Sequence, residues 1–312
     1  MNAPKLVILG TGGTIAGTAA SAGDNIGYTA AQVGIGELVA AVPQLRALSI
    51  HAEQVAQLDS KDMDFATWRQ LAARCAHWLA SDDVQGIVIT HGTDTLEETA
   101  YFLQRVLDPR KPVVMACAMR PATALAPDGP QNMLDAVAVA STPGARGVVA
   151  VCAGVVHSAF DVRKTHSYRL DAFSSGDAGA VGYVEEGAVR QVRAWPDAAA
   201  GGWHRRPGPA ALAGEWPRVE IIMSHAGANG GLAQALVAQG AQGIVVAATG
   251  NGTIHRDLES ALLQAQAAGV RIVRATRCEE GRVLPAGGDA IADSRGLSPV
   301  KARIALMLEL MA

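Results

Sequence analysis

Leu6-Val7-Ile8-Leu9-Gly10-Thr11-Gly12-Gly13-Thr14-Ile15-Ala16-Gly17 sets a short apolar run against an abrupt glycine-rich break. Four consecutive apolar residues closed by glycine read as a buried strand ending in a turn. Similar runs recur at residues 84–89, 113–116 and 148–152, with helical patterns between them. Phe65, Trp68, Leu71, Ala72, Cys75 and Leu79 share one face at helical spacing, and Thr99, Phe102, Leu103 and Val106 suggest another helix. Apolar strands alternating with helices of this length predict right-handed crossovers around a mostly parallel sheet.

Between Val192 and Glu220 this rhythm breaks at Pro196, Gly201-Gly202, Arg205-Arg206, Pro207-Gly208-Pro209 and Trp216-Pro217, which marks the best domain boundary. A second α/β rhythm follows at residues 219–223, 244–247 and 270–273, with a closing helix from about residue 299 to 310. The expected organisation is a larger N-terminal mostly parallel-sheet α/β domain over residues 1–194, a linker over 195–217 and a smaller C-terminal α/β domain over 218–312.

The 312 residues carry 49% hydrophobic and 18% charged side chains, too apolar for a disordered chain. No uninterrupted apolar stretch approaches the roughly 20 residues of a membrane span. A net charge of -3 gives no broad attraction to nucleic acid or anionic membrane, so a small ligand is the expected partner. Residues 1–5 lead directly into the first strand without the apolar segment and cleavage site of a secretory signal. Cys75, Cys117, Cys152 and Cys278 lie far apart and read as reduced, inert core thiols. A cytoplasmic location is the resulting expectation. The 8 histidines are dispersed and form no ligand triplet, so neither a metal nor a cofactor is expected.

Thr11 stands just past a predicted strand, at the carboxyl edge where open α/β sheets bind ligands. The competing reading is a dinucleotide loop, but Ile15 stands where the last glycine of GxGxxG belongs, and no acidic residue ends a convincing second strand. A structural turn stays open at this point. The run Thr90-His91-Gly92-Thr93-Asp94-Thr95-Leu96-Glu97-Glu98 follows the strongest strand signal. Helix capping accounts for several of its residues, with a Thr or Asp accepting orphan backbone donors and Glu97 and Glu98 favouring the positive helix end. A carboxylate such as Asp94 could equally hold a ligand ammonium. Lys164 lies in a charged segment, where a solvated lysine is the default. Folded toward Thr93, it would lose water, and a lowered pKa would let its neutral amine take a hydroxyl proton. Tyr28, between Gly27 and Thr29 in a small-residue stretch over 18–36, suggests a flexible loop more than a core strand.

TGGTIAG around Thr11, DSKDM around Ser60, HGTDTLEETAYFL from His91, AMRPAT from Ala118, DGPQNMLDAV from Asp128, DVRKTHS around Lys164 and KAR near the end together resemble the bacterial type II L-asparaginase and glutaminase-asparaginase family. The resemblance runs from residue 6 nearly to the end. It implies an asparaginase-like fold and hydrolysis of free L-asparagine to L-aspartate and ammonia through a threonine acyl-enzyme. Thr11 would be the nucleophile, and Tyr28 would sit on a lid over it. Thr93, Asp94 and Lys164 would form a second polar triad. Ser60 would hold the substrate α-carboxylate and Asp94 its ammonium, while Thr93 and Lys164 would assist water or nucleophile activation. Whether Tyr28 or the Thr93 and Lys164 network deprotonates Thr11 stays open.

Two features depart from the pattern, the residue at Lys61 and the segment from Arg277 to Leu297, which is shorter and aligns poorly. Lys61 replaces a glutamine used near the substrate's α substituents and would bring positive charge there. Asn251, in Thr249-Gly250-Asn251-Gly252, matches an asparagine that reaches the site from a neighbouring subunit, with a plain turn as its other reading. The matching glutamate has no assigned counterpart, Glu279 and Glu280 both being near. The resemblance further implies a homodimer or homotetramer with active sites near subunit interfaces. A glutaminase-asparaginase with comparable glutamine activity is the nearest alternative function, followed by a non-catalytic amino-acid-binding protein. A nucleotide-dependent oxidoreductase is weaker still, for want of a complete phosphate loop.

Overall fold

The computed structural model describes residues 4–197, 207, 209–284 and 286–312. It divides into two compact units, Met1–Ala200 and Gly201–Ala312. Of the expected linker over residues 195–217, residues 198–206 and 208 lie outside the described set.

In the first unit, β1 (Lys5–Gly12), β2 (Ile50–Leu58), β3 (Val84–Thr90), β4 (Pro112–Ala116) and β5 (Gly147–Cys152) are mutually parallel in the order β2-β1-β3-β4-β5. After the turn at Ala153 and Gly154 the chain reverses, and β6 (Val155–Ser158) pairs antiparallel with β5. A separate two-stranded ladder joins β7 (Arg163–Lys164) to β8 (Phe173–Ser174). The hairpin β9 (Gly182–Glu185) and β10 (Ala188–Gln191) extends the main sheet beyond β6 to eight strands. The sheet is therefore mixed, with a parallel centre and an antiparallel flank.

Strand alternation divides the central residues between two layers. Leu6, Ile8, Val88, Val114, Val149 and Val151 pack with Ile35 and Leu38 of α1 (Ile35–Ala40) and with Met133, Ala136 and Val137 of α4 (Gly129–Ala140). The opposite face carries Val7, Leu9, Ile87 and Ile89 and is covered by α2 (Phe65–Leu79) and α3 (Leu96–Leu107). Trp68 and Phe102 stack at 4.8 Å where those helices meet, and Trp68 Nε1 donates to Thr99 Oγ1 at 2.9 Å. Asp64 caps α2 by accepting from the Thr67 N–H at 2.7 Å, one of the orphan donors of a helix start.

Asn132 of α4 cross-links two strand ends. Its Nδ2 donates to the Cys117 carbonyl just past β4, and its Oδ1 accepts from the Ala153 N–H just past β5. Asp128 accepts from the N–H groups of Met119 and Arg120, both at 2.9 Å, and so shapes the loop that follows β4.

The second unit is a smaller parallel sheet in the order β11 (Val219–Met223), β12 (Gly243–Ala248), β13 (Arg271–Thr276) and β14 (Ala292–Asp293). A short helix, α5 (Pro209–Ala213), precedes β11. One face of the sheet buries Ile222, Ile244, Val246 and Ile272 against α6 (Gly231–Ala238) and α7 (Arg256–Ala267). The other receives α8 (Pro299–Met311), which buries Ala302, Ile304, Ala305 and Leu306. Among the described residues no helix is long and apolar enough to cross a membrane.

Cys75, Cys117 and Cys152 are free and buried, but Cys278 is exposed, contrary to the reading of four core thiols. It lies two residues beyond the end of β13, outside the strand that buries its neighbours. Burial pushes the Cys75 thiol well above its ordinary range, and the Cys152 thiol beside Cys117 does the same for Cys117, aided by burial.

Asn132→Ala would leave the Cys117 carbonyl and the Ala153 N–H without their shared partner inside the protein. The expected cost is about 2–3 kcal/mol, from the desolvation penalty of unpaired buried groups, read as a melting midpoint lower by several degrees. An unchanged midpoint would deny Asn132 this cross-linking role.

Candidate active site

At the end of β1 the backbone turns through Gly12 and Gly13, whose φ angles are 102° and 81°. These are left-handed conformations that favour glycine. Space demands glycine as well, because a Cβ on Gly13 would collide with the backbone of Gly92 and one on Gly12 would lie 2.5 Å from the Leu58 carbonyl. Thr11 is thereby held at the carboxyl edge of the sheet, 1% exposed, and its hydroxyl donates to the Thr90 carbonyl at 2.8 Å. That bond uses the hydroxyl hydrogen and leaves both oxygen lone pairs free of it.

Thr14, three residues on, opens the short 3₁₀ turn Thr14–Ala16. Its Oγ1 lies 2.7 Å from the Tyr28 hydroxyl. Tyr28 is half-buried on a loop closed by a bridge between Thr18 and Thr29. Within that loop the N–H groups of Gly27 and then Ile26 donate to Asp24 and hold its carboxyl below the usual carboxylate range. The loop is also fastened to the segment after β4. Ala122 N–H donates to the Gly17 carbonyl, Ala19 N–H to Thr123 Oγ1 and Leu125 N–H to the Ala22 carbonyl, at 2.9, 2.8 and 3.0 Å.

The stretch after β3 is the hub. His91 is fully buried, and its Nδ1 is 2.7 Å from the Gly92 carbonyl. A carbonyl only accepts, so Nδ1 carries the proton and Nε2 is bare; Nε2 has no partner. Burial lowers the His91 pKa to about 4, against the opposing pull of the Gly92 carbonyl. Lys164, carried by β7, sends its Nζ to Thr93 Oγ1 at 2.8 Å and to Asp94 Oδ1 at 2.6 Å, across 71 and 70 residues of sequence. Its side chain is 19% exposed, whereas that of Asp94 is 52% exposed. The lysine therefore does leave the solvated surface and meet Thr93.

Ser60 is 1% exposed in the 3₁₀ turn Ser60–Asp62. Its Oγ accepts from the Asp94 N–H at 3.2 Å, and its carbonyl accepts from Thr95 Oγ1 at 2.8 Å. Thr95 occupies the α3 cap position without capping it through its side chain. The capping expectation fails at this residue because its hydroxyl is spent on the neighbouring loop. Lys61 points elsewhere, 60% exposed and paired with Asp62 and, at 3.7 Å, with Asp59. The hydrogen bond to Asp62 leads in holding its ammonium above the usual lysine range. The charge expected near a ligand's α substituents is answered by the acids of its own turn.

Thr11 and Tyr28 thus lie on one loop system, while Ser60, Thr93, Asp94 and Lys164 form a second, and Gly13 against Gly92 joins the two. Asn251 belongs to the second unit. Its Nδ2 donates to the Leu284 carbonyl at 3.1 Å and its Oδ1 accepts from the Leu284 N–H at 2.7 Å, so its amide is bonded in both directions. Sequence alone does not single out Thr14, whose hydroxyl meets that of Tyr28; its place inside the TGGTIAG run is the signal that could have found it.

Two family models match the chain, the N-terminal asparaginase model over residues 5–196 and the glutaminase/asparaginase C-terminal domain over residues 218–312. L-asparaginase 2 of Bacillus subtilis (strain 168) is 39% identical over 316 residues, which cover 98% of this chain and 82% of that protein. L-asparaginase 2 of Escherichia coli (strain K12) is 38% identical, covering 98% and 89%. The glutaminase-asparaginase of Pseudomonas fluorescens biotype A is 37% identical, covering 98% and 86%. The crystal structure of a probable cytoplasmic L-asparaginase from Campylobacter jejuni superposes with a TM-score of 0.91 at 39% identity, covering 98% of this chain and 94% of that one.

The buried, neutral His91 makes a stability prediction. Its folded pKa is depressed, so protons bind the unfolded chain more tightly. Stability from this group is whole above the unfolded value near 6.5 and is lost as pH falls toward about 4. The loss should reach about 3 kcal/mol over that window. Denaturant titrations should show a flatter pH dependence for His91→Gln. Parallel curves for the two proteins would mean that His91 does not titrate as described.

Proposed function

This chain belongs to the asparaginase and glutaminase-asparaginase family, and from that premise we propose that it hydrolyses the side-chain amide of free L-asparagine with Thr11 as nucleophile. The observation that carries this reading is Lys164 Nζ bonded to both Thr93 and Asp94, on the segment against which the Thr11 loop is packed. Simple amino-acid capture requires a carboxylate and a donor but not a lysine drawn onto a buried threonine hydroxyl.

In the proposed reaction, Ser60 and neighbouring backbone donors hold the α-carboxylate, and Asp94 turns its exposed edge to the α-ammonium. Thr11 Oγ then attacks the amide carbon. The Thr90 carbonyl is too weak a base to take the hydroxyl proton, so as the Thr11 O–H bond breaks that proton passes to the polar groups lining the site and leaves with the ammonia. The resulting ester is cleaved by water, which the Thr93 and Lys164 pair orients and helps deprotonate. The products are aspartate and restored Thr11. Donors near Thr93 stabilise the oxyanion at each step.

Glutamine stands as the second substrate, because a relative of nearly equal identity is described as a glutaminase-asparaginase. Asparagine is favoured on geometry. With the amino-acid head fixed, one extra methylene displaces the amide carbon from Thr11 Oγ, and about 1 Å of misplacement can cost on the order of 100-fold. The working form is proposed as a homodimer or homotetramer, with a neighbouring copy completing each site. A cytoplasmic location is proposed by analogy with the Campylobacter jejuni protein.

Thr11→Ala is expected to lower turnover of asparagine by about 1,000-fold or more without loss of fold, and Lys164→Met by roughly 100-fold. Both are read as ammonia release with a chelator present. Wild-type turnover by folded Thr11→Ala would reduce Thr11 to a turn residue. Initial rates should also favour asparagine over glutamine by at least about 10-fold in kcat/KM, or about 1.4 kcal/mol. Equal efficiency on glutamine would move the protein to the glutaminase-asparaginase reading while leaving the threonine chemistry in place.

A further inference from the structure

Lys164 rides on a slender support. Its strand β7 has two residues and pairs only with the two residues of β8, in a ladder separate from the main sheet. Two residue pairs contribute little stability of their own. The ammonium must nonetheless reach Thr93 Oγ1 and Asp94 Oδ1 together, so the backbone at Lys164 needs a fixed place. The N–H groups of Thr165 and His166 donate to the Ala172 carbonyl at 2.8 and 3.2 Å, and the Lys164 N–H itself donates to Glu97 Oε1 at 3.2 Å, across 67 residues.

Glu97 is half-buried in the first turn of α3, where the positive end of the helix favours a carboxylate. Helix α3 begins immediately after Thr93, Asp94 and Thr95 and buries Leu96, Thr99, Tyr101, Phe102 and Leu103. Glu97 and the two partners of the lysine ammonium are thus displaced by the same rigid element. A carboxylate at this position references the Lys164 backbone to the frame that presents Thr93 and Asp94.

We infer that Glu97 is a positioning residue for Lys164, holding its main chain so that the ammonium addresses Thr93 and Asp94. The inference rests on the proposed role of Lys164, and the tether itself can be measured separately. Without the bond, the Lys164 main chain loses its link to α3, and the ammonium addresses the same partners from a less fixed support. The effect is expected chiefly in kcat, because the bond of Glu97 goes to the Lys164 main chain and not to Ser60 or Asp94. Glutamine at this position keeps an oxygen acceptor of the same reach, whereas alanine removes it.

The test measures kcat, KM and amide hydrogen exchange of a peptide spanning residues 160–167 in the full-length protein and in Glu97→Gln and Glu97→Ala, with each change repeated in a Lys164→Met background. Glu97→Ala is expected to lower kcat by roughly 10- to 100-fold, to leave KM within about twofold and to speed exchange at the Lys164 amide. Glu97→Gln should stay within about threefold of the parent in kcat. In the Lys164→Met background Glu97→Ala should change kcat by less than about twofold, because the residue acts through the lysine. Unaltered exchange and unaltered kcat in Glu97→Ala would overturn the inference, as would an equal kcat loss with and without Lys164. Faster exchange in Glu97→Ala combined with normal turnover by Lys164→Met would uphold the tether and remove the lysine from the chemistry. Should Glu97→Ala fail to fold, Glu97→Asp, whose carboxylate is one methylene shorter, takes its place with the same ordering of outcomes.

Discussion

The backbone of Gly13 lies against the backbone of Gly92 with no room for a side chain between them. The joining of the two halves of the candidate site depends on this approach. It sets the loop that carries Thr11 directly upon the loop that carries Thr93, and it does so through main chain, the least adjustable part of the molecule. The next layer repeats the economy. A Cβ on Gly92 would stand 2.5 Å from Ser60 Oγ, so the Ser60 turn closes against the same point from another side. Loops from the ends of β1, β2 and β3 therefore meet on one short run of residues. Lys164 and Glu97 then bring β7 to that run from much later in the chain.

The parallel centre of the sheet explains why these groups gather. All five parallel strands deliver their carboxyl ends to one edge, and the polar loops begin where the apolar runs stop. Beneath the edge the interior is dry enough that His91 is held neutral and two cysteine thiols lie against one another. Hydrogen bonds at such a boundary gain strength from the low local polarity, while groups left unmatched there cost more. Asn132 and Asp128 meet that cost for the ends of β4 and β5 by bonding the main-chain groups that the sheet no longer reaches.

The central strands were legible because residues buried on both faces leave near-continuous apolar runs, as at Leu6-Val7-Ile8-Leu9. Strand β2 was not, since it lies at the sheet edge and carries His51, Glu53, Gln54 and Gln57 among its apolar residues. The antiparallel flank of β6, β9 and β10 consists of four-residue strands, too short to show a period. At the site, the motifs displayed Thr11, Ser60, Thr93, Asp94 and Lys164, but the meeting of Lys164 with Thr93 is a property of the folded chain. Glu97 was visible only as an acid suited to a helix start. Its bond to a main-chain N–H far along the sequence leaves no local pattern. The pairing of Lys61 with Asp59 and Asp62 likewise appears only in the folded chain.

The Tyr28 loop is fastened to the segment after β4 by three hydrogen bonds, and Asp128 in turn shapes that segment. To swing away, the loop must break all three. At a net value of about 1 kcal/mol for each bond, and with the Thr14 bond to Tyr28 broken as well, the separated form would make up less than about one molecule in a hundred. Entry and departure of small molecules would then wait on a minority population, and residues 118–125 would set its size. A change at Thr123, outside the catalytic constellation proposed above, could thus alter how often the site is reachable while leaving its chemistry as it was.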